Sequence, residues 1–134
     1  MKLKIKNALI SVSNKENMLP LLKTLKKYKI NVISSGGTYN FIKKLGYKCT
    51  ELSKYTGFKE ILDGRVKTLH PKIHAGILHD RQNKSHMREM FKQKFMPIDL
   101  IVVNFYPFQK IVKQSKPSIE TGENIFSTNN FTNF

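Results

Sequence analysis

The sequence has few of the residues that mark secreted or membrane proteins. It contains one cysteine, Cys49, and no tryptophan in 134 residues. A lone cysteine cannot form an internal disulfide, whereas small secreted domains usually carry an even set, so a reducing compartment is favoured. No apolar run approaches the roughly 18 residues that a membrane span needs, and the apolar stretch 8–13 is too short and serine-rich for a signal peptide. We therefore expect a cytoplasmic protein without a membrane partner.

Acidic residues are also scarce, at 9 against 24 basic ones, which gives a net charge of +15. The basic residues are 21 Lys and only 3 Arg, and they are scattered along the chain. Because DNA readers rely on the arginine fork that matches guanine, this pattern favours a solvated lysine surface. A basic nucleic-acid-binding protein remains an alternative, but we do not expect a nucleic-acid partner. The charge does suit a small anionic substrate.

The order of hydrophobic segments predicts one α/β domain with a mainly parallel sheet. Strands are expected at 6–12, 30–34 and 47–52. One helix between them is expected to begin after Asn17, and a second, short one to run through Phe41, Ile42 and Leu45 and end at Gly46. Residues 98–103 form the clearest buried strand. The length of the chain suits one domain, which we expect to span 1–125. The segment 126–134, made only of Phe, Ser, Thr and Asn, is expected to be a divergent, disordered tail with no fixed element.

Between these strands lie two less regular segments. Residues 55–76 are dense in Gly, Pro, His and charge, and we expect a long ordered loop with at most one helical turn at 59–62. Within it, we expect 63–76 to be an ordered loop that faces the substrate. Residues 83–95 are polar and predict a surface helix that directs Met87, Met90 and Phe91 inward. A further turn is expected at 119–125.

Candidate binding residues follow three of the predicted strands. In a parallel sheet, ligands bind beyond the carboxyl ends of the strands. The residues there are Ser11, Ser13 and Lys15; Ser35, Gly36, Gly37 and Thr38; and Asn104, Phe105 and Tyr106. The glycine pair lies between a strand and a helix, where backbone N–H groups can hold a phosphate, with Lys15 as counter-charge. An ordinary tight turn would account for the glycine pair alone equally well.

Other reactive residues point less clearly to chemistry. His70 and His74 have the spacing of a zinc pair on a helix, but Pro71 lies between them and no third ligand is evident, so we expect a structured loop and no metal. Cys49 has no supporting His and Asp nearby in the sequence, so a nucleophilic role is not expected. The segment 63–68 concentrates charge, and its cations can hold a phosphate or polarise a carbonyl.

Five segments together resemble the N-terminal domain of the bifunctional AICAR transformylase/IMP cyclohydrolase family. They are Leu9-Ile10-Ser11-Val12-Ser13-Asn14-Lys15, Ser35-Gly36-Gly37-Thr38, Tyr55-Thr56-Gly57-Phe58, the long run from Asp63 through Leu78, and Val103-Asn104-Phe105-Tyr106-Pro107-Phe108. The resemblance covers about residues 8–125, and the long run is its most specific part. It implies a methylglyoxal-synthase-like three-layer fold, incomplete at the C-terminus.

The resemblance also implies a reaction and the residues that serve it. The reaction is closure of formyl-AICAR to IMP with loss of water, without cofactor or metal. The implied catalytic residues are Lys67, Tyr106 and Asn104, with Lys67 polarising the formyl oxygen. The implied nucleotide- and phosphate-binding residues are Ser11, Ser13, Lys15, Ser35, Gly36, Gly37, Thr38, Arg65, Lys67, Thr68, Asn104 and Phe105. The implied partner is a purine ribonucleotide monophosphate, and self-association into a homodimer stays open.

The sequence departs from the family pattern after Ile125. There the family continues into an Asp-Ile-Gly-Gly motif, a helix with a proton-transfer lysine, and a transformylase domain that uses 10-formyltetrahydrofolate. We expect an incomplete chain that binds the nucleotide but closes the ring poorly. A catalytically impaired nucleotide- or phosphate-binding module of the same fold is the alternative.

Overall fold

The structure is a computed structural model that describes residues 4–64 and 66–104. The turn expected at 119–125 and the tail at 126–134 lie outside the described residues, as do Arg65, Phe105 and Tyr106. The described strands are β1 (Asn7–Ser11), β2 (Asn31–Ser34), β3 (Thr50–Glu51) and β4 (Leu100–Val103). The helices are α1 (Met18–Lys27), α2 (Gly36–Lys44), α3 (Leu52–Thr56), α4 (Pro71–Leu78) and α5 (Lys84–Lys92).

The four strands form one sheet in the order β3-β2-β1-β4, and every pair is parallel. This confirms the predicted α/β fold. The carboxyl ends are in register, since Ser11 pairs with Val103, Ile10 with Ser34, and Ser34 with Glu51. Strand β3 is shorter than the predicted 47–52. The polar residues that follow the strands therefore meet at one edge of the sheet.

Helices cover the sheet on both faces, which produces the three layers. On one face, α1 and α2 bury Ala8 and Ile10 of β1 together with Leu22, Leu25 and Ile42. On the other face, α3 and α4 bury Leu9 and Ile33 together with Leu52, Ile73 and Ile98. Alternate residues of β1 thus face opposite layers, which is why its three central residues, Ala8, Leu9 and Ile10, are all apolar. The central strand fixes the position of every element around the site.

The helix α4 corrects the prediction that 63–76 is a loop throughout. Pro71 is the first helical residue, where a missing N–H costs nothing and the fixed φ suits the helix. His70 caps the helix, since its side chain accepts a hydrogen bond from Lys72 N at 3.2 Å. The expectation of a loop around Pro71 is therefore wrong, because the proline lies at the helix start. No helical turn forms at 59–62, and Ile61 forms an antiparallel bridge with Val66.

Two predictions of burial need correction. In α5, Met90 is buried as expected, but Met87 is exposed and Phe91 is 87% exposed. The buried face of the helix is therefore narrower than the set of its apolar side chains. Among the described strands, β4 is at the edge of the sheet, and Ile101 and Val103 are 42% and 55% exposed. The apolar run 98–103 is therefore half-buried in the described part of the chain.

A carboxylate joins the amino ends of β1 and β4. Asp99 accepts hydrogen bonds from the backbone N–H groups of Lys6 and Asn7 at 2.7 and 2.8 Å, and pairs with Arg81 at 2.6 Å. Burial alone would raise the pKa of Asp99, but these donors hold the pKa below the ordinary value of 3.8. This anchor fixes the start of both strands, and hence the alignment of their carboxyl ends.

Candidate functional site

The segments after β1 and β4 are tied to each other by Asn104. The Asn104 Oδ1 accepts hydrogen bonds from Ser13 N at 2.8 Å and Ser13 Oγ at 3.0 Å. Its Nδ2 donates to the carbonyl of Asn14 at 2.8 Å. An amide side chain can do both because it carries an acceptor and two donors. Two predicted site residues from segments about 90 positions apart therefore lie together.

Helix α2 is tied to the same place by Thr38. The Thr38 Oγ1 accepts from Val12 N at 3.2 Å and donates to Val12 O at 2.9 Å, and the residue is buried. Because both functions of this hydroxyl are engaged by the backbone, the side chain positions the start of α2 beside the end of β1. The backbone N–H of Thr38 belongs to the first turn of α2, where N–H groups have no carbonyl partner within the helix.

The N-terminus of α2 is arranged to receive an anion. The helix begins at Gly36, its N-cap Ser35 makes no side-chain capping bond, and its first turn holds no acidic residue. Partial positive charge from the uncapped N–H groups favours an anion there. The Nζ of Lys15 lies 3.9 Å from the place that a Cβ on Gly37 would take. Lys15 also donates to the carbonyl of Ser13 at 3.3 Å, which fixes its direction.

A cavity of about 520 Å³ adjoins this helix start. It is lined by Ser35, Gly36 and Lys67, three of the predicted site residues. Further lining residues, which the sequence did not indicate, lie at the end of β3 and beyond it: Glu51, Leu52, Ser53, Lys54, Lys59 and Glu60 among them. For the residues that adjoin β3 a signal was available, since the carboxyl end of a third parallel strand belongs to the same edge. The volume suits a nucleotide-sized ligand.

The predicted residues thus form two adjoining groups. Ser13, Lys15, Thr38 and Asn104 surround the strand ends, while Ser35, Gly36 and Lys67 face the cavity, and the α2 start links the two groups. Ser11 is the last residue of β1. Thr68 lies before α4, where its carbonyl accepts from His70 N at 2.9 Å. Their side-chain roles, and those of Arg65, Phe105 and Tyr106, stay predictions.

The remaining reactive residues lie in ordinary surroundings. Burial raises the pKa of the Cys49 thiol to about 11, although Lys43 opposes the shift, so the thiol is protonated at neutral pH. The ring of His79 contacts the carbonyl of Ala75 at 3.1 Å. Within 4–64 and 66–104, no three His, Cys, Asp or Glu residues are grouped to hold a metal. No helix in those ranges is long and apolar enough to cross a membrane.

Comparisons with known proteins place this geometry in a family. The model of the MGS-like domain matches residues 17–126. The chain is 56% identical over 104 residues to the bifunctional purine biosynthesis protein PurH of Clostridium kluyveri, covering 78% of this chain and 21% of that protein. It is 46% identical over 122 residues to PurH of Bacillus subtilis, covering 90% of this chain and 24% of that protein.

A solved structure supports the same assignment. The crystal structure of ForH superposes with a TM-score of 0.68 at 33% identity, covering 76% of this chain and 53% of that chain. The chain spans about a fifth to a quarter of the length of the PurH relatives. The family match, the parallel sheet with helices on both faces, and the strand-end site agree, and the chain belongs to the MGS-like domain family.

Proposed function

We propose that the chain binds a purine ribonucleotide monophosphate and serves the IMP cyclohydrolase step of purine biosynthesis, in the cytoplasm. The observation that carries the proposal is the position of Lys15 beside Gly37, at an uncapped helix start that also borders the cavity holding Lys67. The similarity to PurH proteins supports the purine substrate class.

The phosphate would lie at the first turn of α2. Its oxygens would accept hydrogen bonds from the N–H groups of Gly37 and Thr38, with the Lys15 ammonium as counter-ion. Glycine at both of the first two helical positions lets the anion approach the backbone closely. The sugar and base would then extend along the strand ends and into the cavity.

The proposed reaction is an intramolecular condensation. The carboxamide nitrogen of formyl-AICAR attacks the formyl carbon and forms the new C–N bond. The formyl oxygen leaves as water with one hydrogen from each of the two nitrogens, which gives IMP. Lys67 would donate a hydrogen bond to the formyl oxygen and so stabilise the negative charge that develops on it. Asn104 and Tyr106 would orient the base, and orientation contributes independently of proton transfer.

Calorimetry with IMP and inosine tests the binding part. Lys15→Ala should lower the affinity for IMP by about tenfold or more, because it removes a charged contact to the phosphate. The affinity for inosine, which has no phosphate, should stay almost unchanged. Lys23→Ala, an exposed lysine of α1, is the control with the same loss of charge. Equal losses for IMP and inosine, or an equal effect of Lys23→Ala, would contradict the phosphate assignment.

Turnover tests the catalytic part. Conversion of formyl-AICAR to IMP, followed by ultraviolet absorbance, should depend on Lys67, and Lys67→Met should lower kcat while changing IMP affinity much less. Binding of IMP without any turnover would instead favour a nucleotide-binding module of the same fold.

A further inference from the structure

The cavity beside α2 contains a carboxylate close to the proposed phosphate position. The Oε2 of Glu60 lies 3.6 Å from the place that a Cβ on Gly36 would take. Its carboxyl atoms also lie 3.9 Å from the equivalent place on Gly64. Both glycines have positive φ, +52° and +79°, and neither carries a side chain that would exclude the carboxylate. Glu60 thus lies between the start of α2 and the turn that precedes Lys67.

Glu60 and Lys15 approach the same helix start from different positions. The Lys15 ammonium is beside Gly37, whereas the Glu60 carboxylate is beside Gly36. A phosphate paired with Lys15 therefore does not have to share the place of Glu60. The group next to the phosphate in a nucleotide is the ribose, and it would lie toward Gly36 and the cavity.

The carboxylate is able to accept hydrogen bonds from a ligand. Glu60 is exposed and lines the cavity. Among the residues that the structure describes, no lysine or arginine lies within 4.0 Å of its oxygens. An ionised carboxylate is a pure acceptor, so it repels a phosphate and suits hydroxyl donors. The two hydroxyls of a ribose offer two such donors side by side, and acidic residues bind ribose hydroxyls in other nucleotide sites.

We infer that Glu60 accepts hydrogen bonds from the ribose hydroxyls of the bound monophosphate and so selects ribonucleotides over 2′-deoxyribonucleotides. This rests on the proposed function, because it requires the phosphate at the start of α2. It assigns to Glu60 a specificity role that neither the motif pattern nor the glycine pair indicated.

The test compares IMP with 2′-deoxy-IMP by calorimetry on the full chain. The wild-type chain should prefer IMP by about tenfold or more, the value of a hydrogen bond to a charged group. Glu60→Gln should reduce that preference several-fold, and Glu60→Asp should do the same because it withdraws the carboxylate by one methylene. Glu89→Gln, an exposed glutamate of α5, should leave the preference unchanged. Retention of the preference in both Glu60 variants, or its loss in Glu51→Gln instead, would overturn the assignment.

The same measurements distinguish the ribose role of Glu60 from the proposed IMP binding, and from simple repulsion of the phosphate by Glu60. Absence of IMP binding to the wild-type chain would contradict the proposed function itself, whereas IMP binding without preference over the deoxynucleotide would overturn only the role of Glu60. If Glu60 merely repelled the phosphate, Glu60→Gln would raise the affinity for IMP, 2′-deoxy-IMP and inorganic phosphate by the same factor. The ribose assignment would then be wrong. Because Glu60 is exposed, its variants should unfold in urea at the wild-type midpoint.

Discussion

The ammonium group of Lys15 lies beside Gly37, 3.9 Å from where a Cβ at that position would be. Gly37→Ala should therefore fold normally, since this distance is an ordinary contact and alanine favours a helix by about 1 kcal/mol. The added methyl would occupy the space between the lysine and the helix start. We expect IMP affinity to fall about tenfold in calorimetry with the unfolding midpoint unchanged or raised. Unchanged affinity would show that the phosphate does not bind there.

At the neighbouring Gly36, the same substitution by alanine should destabilise the fold. Its φ of +52° is a conformation that costs a residue with a Cβ about 1–2 kcal/mol. Gly36→Ala should accordingly lower the free energy of unfolding by about that amount in urea denaturation. A Gly36→Ala chain as stable as Gly37→Ala would contradict the assigned backbone geometry.

Asn104 is half-buried and should be important for the organisation of the site. Asn104→Ala removes both acceptor bonds from Ser13 and the donor bond to Asn14. We expect a loss of about 1–3 kcal/mol in the free energy of unfolding, and weaker IMP binding. Ser13→Ala, which removes only one of these bonds, should show a smaller effect on both. If Ser13→Ala had the larger effect on either measurement, Asn104 would not be the residue that organises the strand ends.

Asp99 should make the stability depend on pH in the acidic range. Its folded pKa lies below the unfolded value of 3.8, so its stabilisation is fully present above that value and is lost as the pH falls through the folded pKa. Asp99→Asn should cost about 2 kcal/mol at neutral pH, with the deficit shrinking as the pH is lowered below 3.8. Urea denaturation at several pH values measures this, with the exposed Asp63→Asn as control. A deficit that is constant from pH 7 to pH 2.5 would exclude the assigned pairing.

Gly76 should tolerate no side chain. An added Cβ would lie 2.8 Å from the carbonyl oxygen of Met96 and 3.1 Å from side-chain atoms of Ile98. Gly76→Ala should lower the free energy of unfolding by about 1–3 kcal/mol through overpacking. Gly37→Ala is again the control, because it adds the same methyl to another helix without a close contact. Equal stability of the two variants would contradict the close packing of α4 on 96–98.

Much of the fold could be predicted from the sequence because local patterns agree with the final packing. The apolar run of β1 and the spacing of Leu22 and Leu25 specify a buried strand and an amphipathic helix directly. The exposure of Phe91 and the edge position of β4 among the described strands could not be predicted, since both depend on which neighbours the tertiary structure supplies. The helix α4 was missed for a local reason, because a proline both breaks helices and begins them.

In the site, too, features set by local sequence could be predicted, whereas features set by tertiary contacts could not. Lys15 and the glycine pair belong to segments that adjoin strands, and the rule of strand ends brings them together without knowledge of side-chain positions. Asn104 was predicted as a site residue, but its bonds to Ser13 and Asn14 depend on the register of β4 against β1. Glu60 lies in a segment without periodicity, so no pattern in the sequence indicated that it enters the cavity.

The pairing of β1 with β4 has a consequence for the order in which the chain can fold. Ala8 pairs with Leu100, so β1 acquires one of its two partner strands only about 90 residues after it is synthesised. Until then, β1 and β2 can pair while the other edge of β1 keeps its N–H and C=O groups open, which invites association with other chains. Completion of the sheet should therefore be a late and slow event in synthesis, governed by a long loop closure.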